Sequence, residues 1–239
     1  MVVEKRWHAM GTNVHVVING TQEHLTYARR RLDELENKWS RFITSSEITK
    51  LNNNESEPFE VSQDTGTLIR RALEGYEITN GLFNPTILGD LIRLGYSSSF
   101  EKIEDKPQSN ESKFIHGDNA IHIDENNIVT LDPDTGFDPG GIGKGLAADL
   151  IAEELIRYGA SGALINVGGD VRIDGIPPEG SGWKVEIADS DDAVIDTVVL
   201  NEGAVATSTT KKRTWDHNGE KVNHLIDPKS GKSVSGDII

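Results

Sequence analysis

The sequence contains no cysteine, which excludes disulfides, thiolate metal sites and cysteine nucleophiles. It also lacks any apolar run long enough to span a bilayer, so no integral membrane segment is expected. Its start, MVVEKRWHAMG, has neither an apolar signal core nor a lipid-acceptor cysteine. As written, the chain therefore reads as cytoplasmic, whereas a removed leader would make it membrane-anchored or extracytoplasmic. Positive charge is scarce. Lys and Arg number 24 against 39 Asp and Glu, a net charge of −15, which repels a polyanionic duplex and argues against a nucleic-acid partner. A small anionic cofactor is not excluded, because backbone amides and one lysine suffice for a local positive site. The seven histidines form no H-E-x-x-H or similar zinc pattern. No internal repeat and no Pro/Ser-rich linker marks a boundary within the 239 residues.

What is present is a mixture of helix and strand signals without a regular βαβ beat. Val14, Val16 and Ile18 alternate strictly, predicting a half-buried strand. Leu25, Ala28, Leu32, Leu35 and Trp39 recur at three and four, predicting an amphipathic helix with Arg29–Asp33 and Arg30–Glu34 pairs on its wet side. The stretch 40–55 is polar and loop-like with a short helical possibility. Leu68, Ile69, Ala72, Leu73 and Tyr76 predict a second helix, capped by Ser62 and stopped at Gly81. Residues 97–127 read as a surface excursion with one strand at 120–123. IVTL (128–131), ALINV (163–167), AVATS (204–208) and VNHLI (222–226) read as strands, and WKVEI (183–187) pairs with AVIDTVVL (193–200) across the acidic turn ADSDD. A helix is expected over 143–158, ending at Gly159.

The stretch DPGGIGKGLAAD (138–149) carries the first chemical signal. It is not a P-loop: the first glycine position of that motif falls on Asp138, and the residue after Lys144 is Gly145, with no hydroxyl for magnesium. It is not a dinucleotide fingerprint either, because the glycines are Gly141, Gly143 and Gly145 and no strand leads straight into them. Glycines still allow close backbone approach, a helix start offers free N–H groups, and Lys144 adds charge. An anion site and a tight turn with a solvated lysine weigh equally on this stretch alone.

Other stretches carry paired readings. Asn84, Pro85 and Thr86 read alone as a turn with a capped helix start. NVGGD (166–170) is a strand-to-turn transition or a close backbone approach. ATSTTKKRTW (206–215) is a solvated basic loop or a phosphate surface. In NHLIDPKSGK (223–232), His224 lies three residues from Asp227 and is either structural or tuned as a base or donor. DPDTGFD (132–138) lacks the twelve-residue calcium-loop pattern and reads as a turn.

Taken in order, HAMGT (8–12), WSRFITSSEITKLN (39–52), GLFNPTILGDLIRLGY (81–96), DPGGIGKGLAAD, NVGGDVRIDG (166–175), AVATSTTKKR (204–213) and HLIDPKSGK (224–232) resemble the successive blocks of the FAD:protein FMN transferases, the ApbE family. The resemblance implies one α+β domain over 1–239, with mixed β-sheets and packed helices in an ApbE-like, T-fold-like architecture. It implies a Mg²⁺-dependent enzyme that moves FMN from FAD onto a Thr or Ser hydroxyl of an acceptor protein and releases AMP.

By the same resemblance, Met10 lies near the flavin. Phe42 stands where the family often has tyrosine, keeping stacking and losing a hydroxyl. Phe83, Asn84 and Thr86 match a Phe-Asp-x-Thr block, with Asn84 replacing the usual carboxylate. Lys144 and Asp149 match the Lys-Gly-x-x-x-Asp core, with Asp149 expected on the FAD. Ala152 corresponds to the residue whose carbonyl helps hold magnesium. Thr207 and Ser208 face the cofactor, His224 matches the histidine needed for transfer, and Leu225 lies beside the FAD.

One departure stands out. The family continues past the His-x-x-Asp-Pro block into a strand and a helix carrying an aspartate and a threonine that ligate Mg²⁺, and the sequence ends at VSGDII. The chain thus resembles a C-terminally shortened member, for which two other readings apply: an FAD-binding protein without transfer, or an FAD pyrophosphatase yielding FMN and AMP.

Overall fold

The computed structural model describes residues 1–100, 111–115, 117, 120–189 and 193–236. The centre of the expected 97–127 excursion and the tip of the ADSDD turn lie outside these residues. The chain's contacts group into two compact units. One is Met1–Glu36 with Gly143–Ser208; the other is Asn37–Ile142 with the stretch from Thr209.

The first unit is built on an antiparallel five-stranded sheet in the order β1(Val2–Ala9), β2(Thr12–Asn19), β6(Gly162–Val167), β7(Asp170–Gly175), β10(Gly203–Val205). Register fixes its faces. Val14 pairs with Val167, Val16 with Ile165 and Ile18 with Ala163, so the predicted alternation of β2 and the apolar run of β6 share one buried face. The helix α5(Gly143–Arg157) lies against β6 and β7. On the opposite face Leu164, Val171 and Ile173 form a cluster with Trp183 and Val185 of the hairpin β8(Trp183–Ala188)–β9(Val194–Leu200).

The helix α1(Gln22–Trp39) buries all five predicted apolar positions and shows the Arg30–Glu34 pair at 3.8 Å. It is tied to α5 through Glu154, which accepts from Arg31 Nε at 3.0 Å and from the Tyr27 hydroxyl at 2.8 Å. Burial, and then this hydrogen bond, raise the Tyr27 phenol above its ordinary pKa.

The second unit holds a three-stranded antiparallel sheet, β3(Phe59–Glu60), β5(Ile128–Leu131), β4(Ile121–Ile123) in that order. It also holds α2(Glu47–Asn52), α3(Gln63–Ile78) and α4(Leu88–Arg93). Ser46 caps α2 by accepting from the Thr49 amide at 3.0 Å. Ser62 sits at the start of α3, but its hydroxyl donates to Glu47 at 2.9 Å instead of capping the helix. The helix stops at Thr79, before Gly81, whose φ of 79° closes the turn onto Tyr76.

Two ribbons complete the unit: β11(Thr214–His217)–β12(Glu220–Asn223) and β13(Ile226–Asp227)–β14(Lys232–Ser233). The strand expected over 222–226 is therefore broken at His224 and Leu225. The cause is Asn223, whose Oδ1 accepts from the Leu225 amide at 2.9 Å and turns the chain out of the ladder. The strand expected at 204–208 is limited to Gly203–Val205 and leaves Thr207 and Ser208 exposed. Sheets and helices mixed in this way are of the α+β class. No helix among the described residues is long and apolar enough to cross a membrane.

Candidate active site

In the first unit the chemistry-bearing residues converge on one end of the five-stranded sheet. Ala9 pairs with Thr12, so Met10 and Gly11 form the two-residue turn between β1 and β2. Both have positive φ, 51° and 64°, as a type I′ turn demands. At the same end β6 passes into β7 through Gly168 and Gly169, with φ of 66° and 96°. The Gly168 amide donates to the Asn13 carbonyl at 3.0 Å. A Cβ on Gly168 would lie 2.3 Å from Thr12 Oγ1, and one on Gly169 would lie 2.3 Å from Thr207 Oγ1. The glycines thus permit close packing of three segments as well as a left-handed backbone, so NVGGD is a strand-to-turn transition at which Thr12 and Thr207 approach the backbone closely.

Asp170 follows directly. Its carboxylate receives Lys144 Nζ at 2.5 Å, with both side chains about four-fifths buried. Lys144 stands in the first turn of α5, and the amides of Gly143 and Gly145 in that turn have no hydrogen-bond partner among the described residues. A Cβ on Gly145 would meet nothing within 4 Å. The helix start therefore combines unpaired donors, open space and an ammonium held nearby, the ingredients of an anion site. Lys144 is neither solvated nor free. The plain tight-turn reading fails on that point, and the sequence-based reading missed the lysine's partner.

Asp149 lies five residues beyond Lys144 on the exposed side of α5. It reaches Arg172 Nε at 3.9 Å, and Arg172 also faces Asp174 and Glu202. Ala152 is fully buried in the interior of α5, eight residues and roughly 12 Å along the axis from Lys144. The structure does not bring it to the lysine end.

In the second unit the glycine bend is held from two sides by the segment that follows α1. Asn52 clamps Phe137, donating to its carbonyl at 2.9 Å and accepting from its amide at 2.8 Å. Arg41 Nε meets Asp138 Oδ2 at 2.8 Å, while Asp138 Oδ1 accepts from the Gly140 amide at 2.8 Å. The Ile142 amide donates to Pro139, so the amides of Gly140 and Ile142 are committed within the bend. Phe83 packs its ring over Gly141 and Gly75, where a Cβ would lie 2.8 Å and 3.1 Å away. Neither Asn52 nor Arg41 was singled out from the sequence. The signal available was a buried-type arginine between serine and phenylalanine, and an asparagine ending an apolar helix face.

Asn84 and Thr86 are buried. Asn84 Oδ1 accepts from the Thr86 amide at 2.8 Å and lies 2.7 Å from its hydroxyl, and that hydroxyl lies 2.8 Å from the Gly117 carbonyl. These groups build the turn that leads into α4, as the stretch read alone predicts, but the helix itself starts at Leu88 behind Ile87 with no side-chain cap, so the capped start is not found. Phe42 is part-exposed and packs against Tyr96, ring centroids 5.7 Å apart.

His224 and Leu225 are half-buried in the break that Asn223 makes. Asn223 donates to Val234 and receives the Leu225 amide, and the Val234 amide returns to the Leu225 carbonyl. The expected tuning of His224 by Asp227 is not what the carboxylate does. Asp227 accepts from Ser230 Oγ at 2.6 Å and from the Lys229 amide at 3.1 Å. The Ser230 hydroxyl, then the Lys229 amide, hold its pKa below the usual carboxylate range. In the basic loop Thr210 donates to the Gly236 carbonyl at 2.7 Å and Thr209 accepts from the Lys211 amide, so those hydroxyls serve the loop.

The ApbE family model matches residues 10–239. The FAD:protein FMN transferase of Vibrio cholerae is 25% identical over 217 aligned positions, covering 88% of this chain and 65% of that protein. That of Haemophilus influenzae is 26% identical, covering 98% of this chain and 73% of its own. The chain thus spans about two-thirds of the length of these relatives. The crystal structure of the ApbE protein of Thermotoga maritima matches with a TM-score of 0.85 and 28% identity, over 99% of this chain and 79% of that one.

Proposed function

The chain belongs to the ApbE family, and we propose that it is a FAD:protein FMN transferase working as one domain over its whole length. The observation that carries this reading is the convergence at one sheet end of the Met10–Gly11 turn, Gly168–Gly169, Thr207 and the Lys144–Asp170 pair. Four blocks far apart in sequence meet around a helix start with unpaired amides.

In this reading the Lys144 ammonium and the first-turn amides of α5 hold the FAD diphosphate. Met10, Phe42, Phe83 and Leu225 supply apolar contact to the flavin. Asp149, Thr207 and Ser208 address the nucleotide's polar groups, and Asn84 with Thr86 positions the Phe83 turn. The hydroxyl oxygen of an acceptor Thr or Ser attacks the phosphorus of the FMN half. A phosphoester bond forms, the diphosphate P–O bond breaks, and AMP leaves. His224 accepts the hydroxyl proton, a role worth about 10²–10⁴-fold in general. Placement and charge neutralisation supply the rest.

Magnesium enters this reading through the family resemblance. Among the described residues no three acidic or imidazole side chains cluster so as to hold a metal ion, and Ala152 offers a carbonyl only from within α5. These residues do not fit a complete magnesium site, and no step is assigned to the ion.

The test is incubation of the purified chain with FAD, Mg²⁺ and an acceptor protein, read by in-gel flavin fluorescence and AMP release. Covalent fluorescence with equimolar AMP is the expected outcome. Free FMN without acceptor identifies a pyrophosphatase, and bound FAD with no AMP identifies a binding protein.

A further inference from the structure

Arg41 is an arginine with 8% of its side chain exposed, lying between Phe42, which the proposed function uses, and the Asp138 carboxylate of the glycine bend. Its guanidinium carbon sits 4.1 Å from the Phe42 ring centroid and 4.6 Å from that of Tyr96, and Tyr96 leans on Trp215 at 5.4 Å. Trp215 is fixed in turn by its Nε1–H donating to the Leu94 carbonyl at 2.6 Å. Phe42 is thus the outer member of a supported aromatic row, the residue still 39% exposed. On its other side Arg41 holds Asp138, the residue that orders the Gly140 amide. Its Nη2 is buried without a hydrogen-bond partner among the described residues. An orphan buried N–H is costly, so stability alone does not account for arginine at this position.

We infer that Arg41 is a positioning residue for the flavin nucleotide, presetting the Phe42 ring as a stacking face and, through Asp138, the glycine bend. A planar guanidinium can lie on two rings and grip a carboxylate at once, whereas an ammonium can only do the latter. The inference rests on the proposed reading of FAD as substrate and deepens it. It identifies a residue that couples the Phe42 ring to the order of the glycine bend.

The experiment measures FAD affinity by fluorescence quenching, with thermal unfolding alongside, in the full chain carrying Arg41→Lys, Arg41→Gln, Phe42→Ala and the Arg41→Gln/Phe42→Ala pair. Arg41→Lys keeps a partner for Asp138. It is expected to melt close to wild type yet bind FAD about tenfold more weakly. Arg41→Gln and Phe42→Ala are each expected to weaken binding to a similar degree, and the pair to be little worse than either. Wild-type affinity in Arg41→Lys, or losses in the pair that multiply, would overturn the inference while leaving the transferase reading standing. Failure of the wild-type chain to bind FAD overturns both.

Discussion

Lys144 Nζ and Asp170 Oδ2 lie 2.5 Å apart, across 26 residues of chain, and join the first turn of α5 to the residue after the paired glycines. The pair keeps a substantially buried ammonium compensated when no anion is present, since an unpartnered charge there would be costly. Asp170 also fixes which way Lys144 points. Lys144→Gln is expected to weaken FAD binding by roughly 10–100-fold, the range for a lost charge-assisted hydrogen bond. Asp170→Asn is expected to lower the melting temperature but to bind FAD no more weakly than wild type, because the ammonium remains. Titration of both variants by flavin fluorescence checks this. Equal losses would make Asp170 a co-determinant of binding.

The break at His224 separates its role from that of Asp227. Because the Asp227 carboxylate is occupied by Ser230 and Lys229, Asp227→Ala is expected to change the rate of FMN transfer by less than about threefold. His224→Ala is expected to reduce transfer by about 10²-fold or more with FAD affinity nearly unchanged, the pattern of a group needed in the chemical step. Single-turnover transfer assays on both variants decide the matter. A large defect in Asp227→Ala would restore the histidine–carboxylate pairing suggested by their spacing.

The pH response of that turn follows from the depressed pKa of Asp227. A carboxyl whose folded pKa lies below its unfolded value stabilises the fold above the unfolded pKa. It loses that contribution as pH falls through the folded pKa. The β13–β14 turn is therefore expected to loosen only at strongly acidic pH. Ser230→Ala removes the largest cause of the depression and is expected to move the Asp227 titration upward. NMR titration of the Asp227 side chain against pH measures the shift, and no movement would mean that the Ser230 hydroxyl is not its main cause.

The sequence disclosed those parts of the fold whose burial is periodic. Val14–Val16–Ile18 and the apolar stripes of α1 and α5 are legible because each element hides one face and one face only. By contrast, β1 runs through Glu4, Lys5 and Arg6 at the sheet edge, where a strand needs only one neighbour and no strict alternation. The short α4 carries too few turns to show a period. The candidate site residues were named mainly through the order of the sequence blocks. The ion pairs Lys144–Asp170 in the first unit and Arg41–Asp138 in the second join residues whose proximity only the folded topology creates, and no local pattern encodes that.

The glycine pair after β6 gives the sharpest separation of backbone from binding. Gly169 has a φ of 96°, and an added Cβ would stand 2.3 Å from Thr207 Oγ1. Alanine there meets left-handed strain of about 1–2 kcal/mol and a contact that must move Thr207. By contrast, Gly145 has open space above it and lies within α5, where alanine favours the helix by roughly 1 kcal/mol over glycine. Gly169→Ala is expected to lower thermal stability and Gly145→Ala to raise it. If the anion sits over the first turn of α5, the added methyl of Gly145→Ala also crowds it. That variant should then melt higher than wild type while binding FAD less tightly. A stabilised Gly145→Ala with undiminished affinity, measured by calorimetry and flavin quenching on the same preparation, would move the diphosphate away from this helix start.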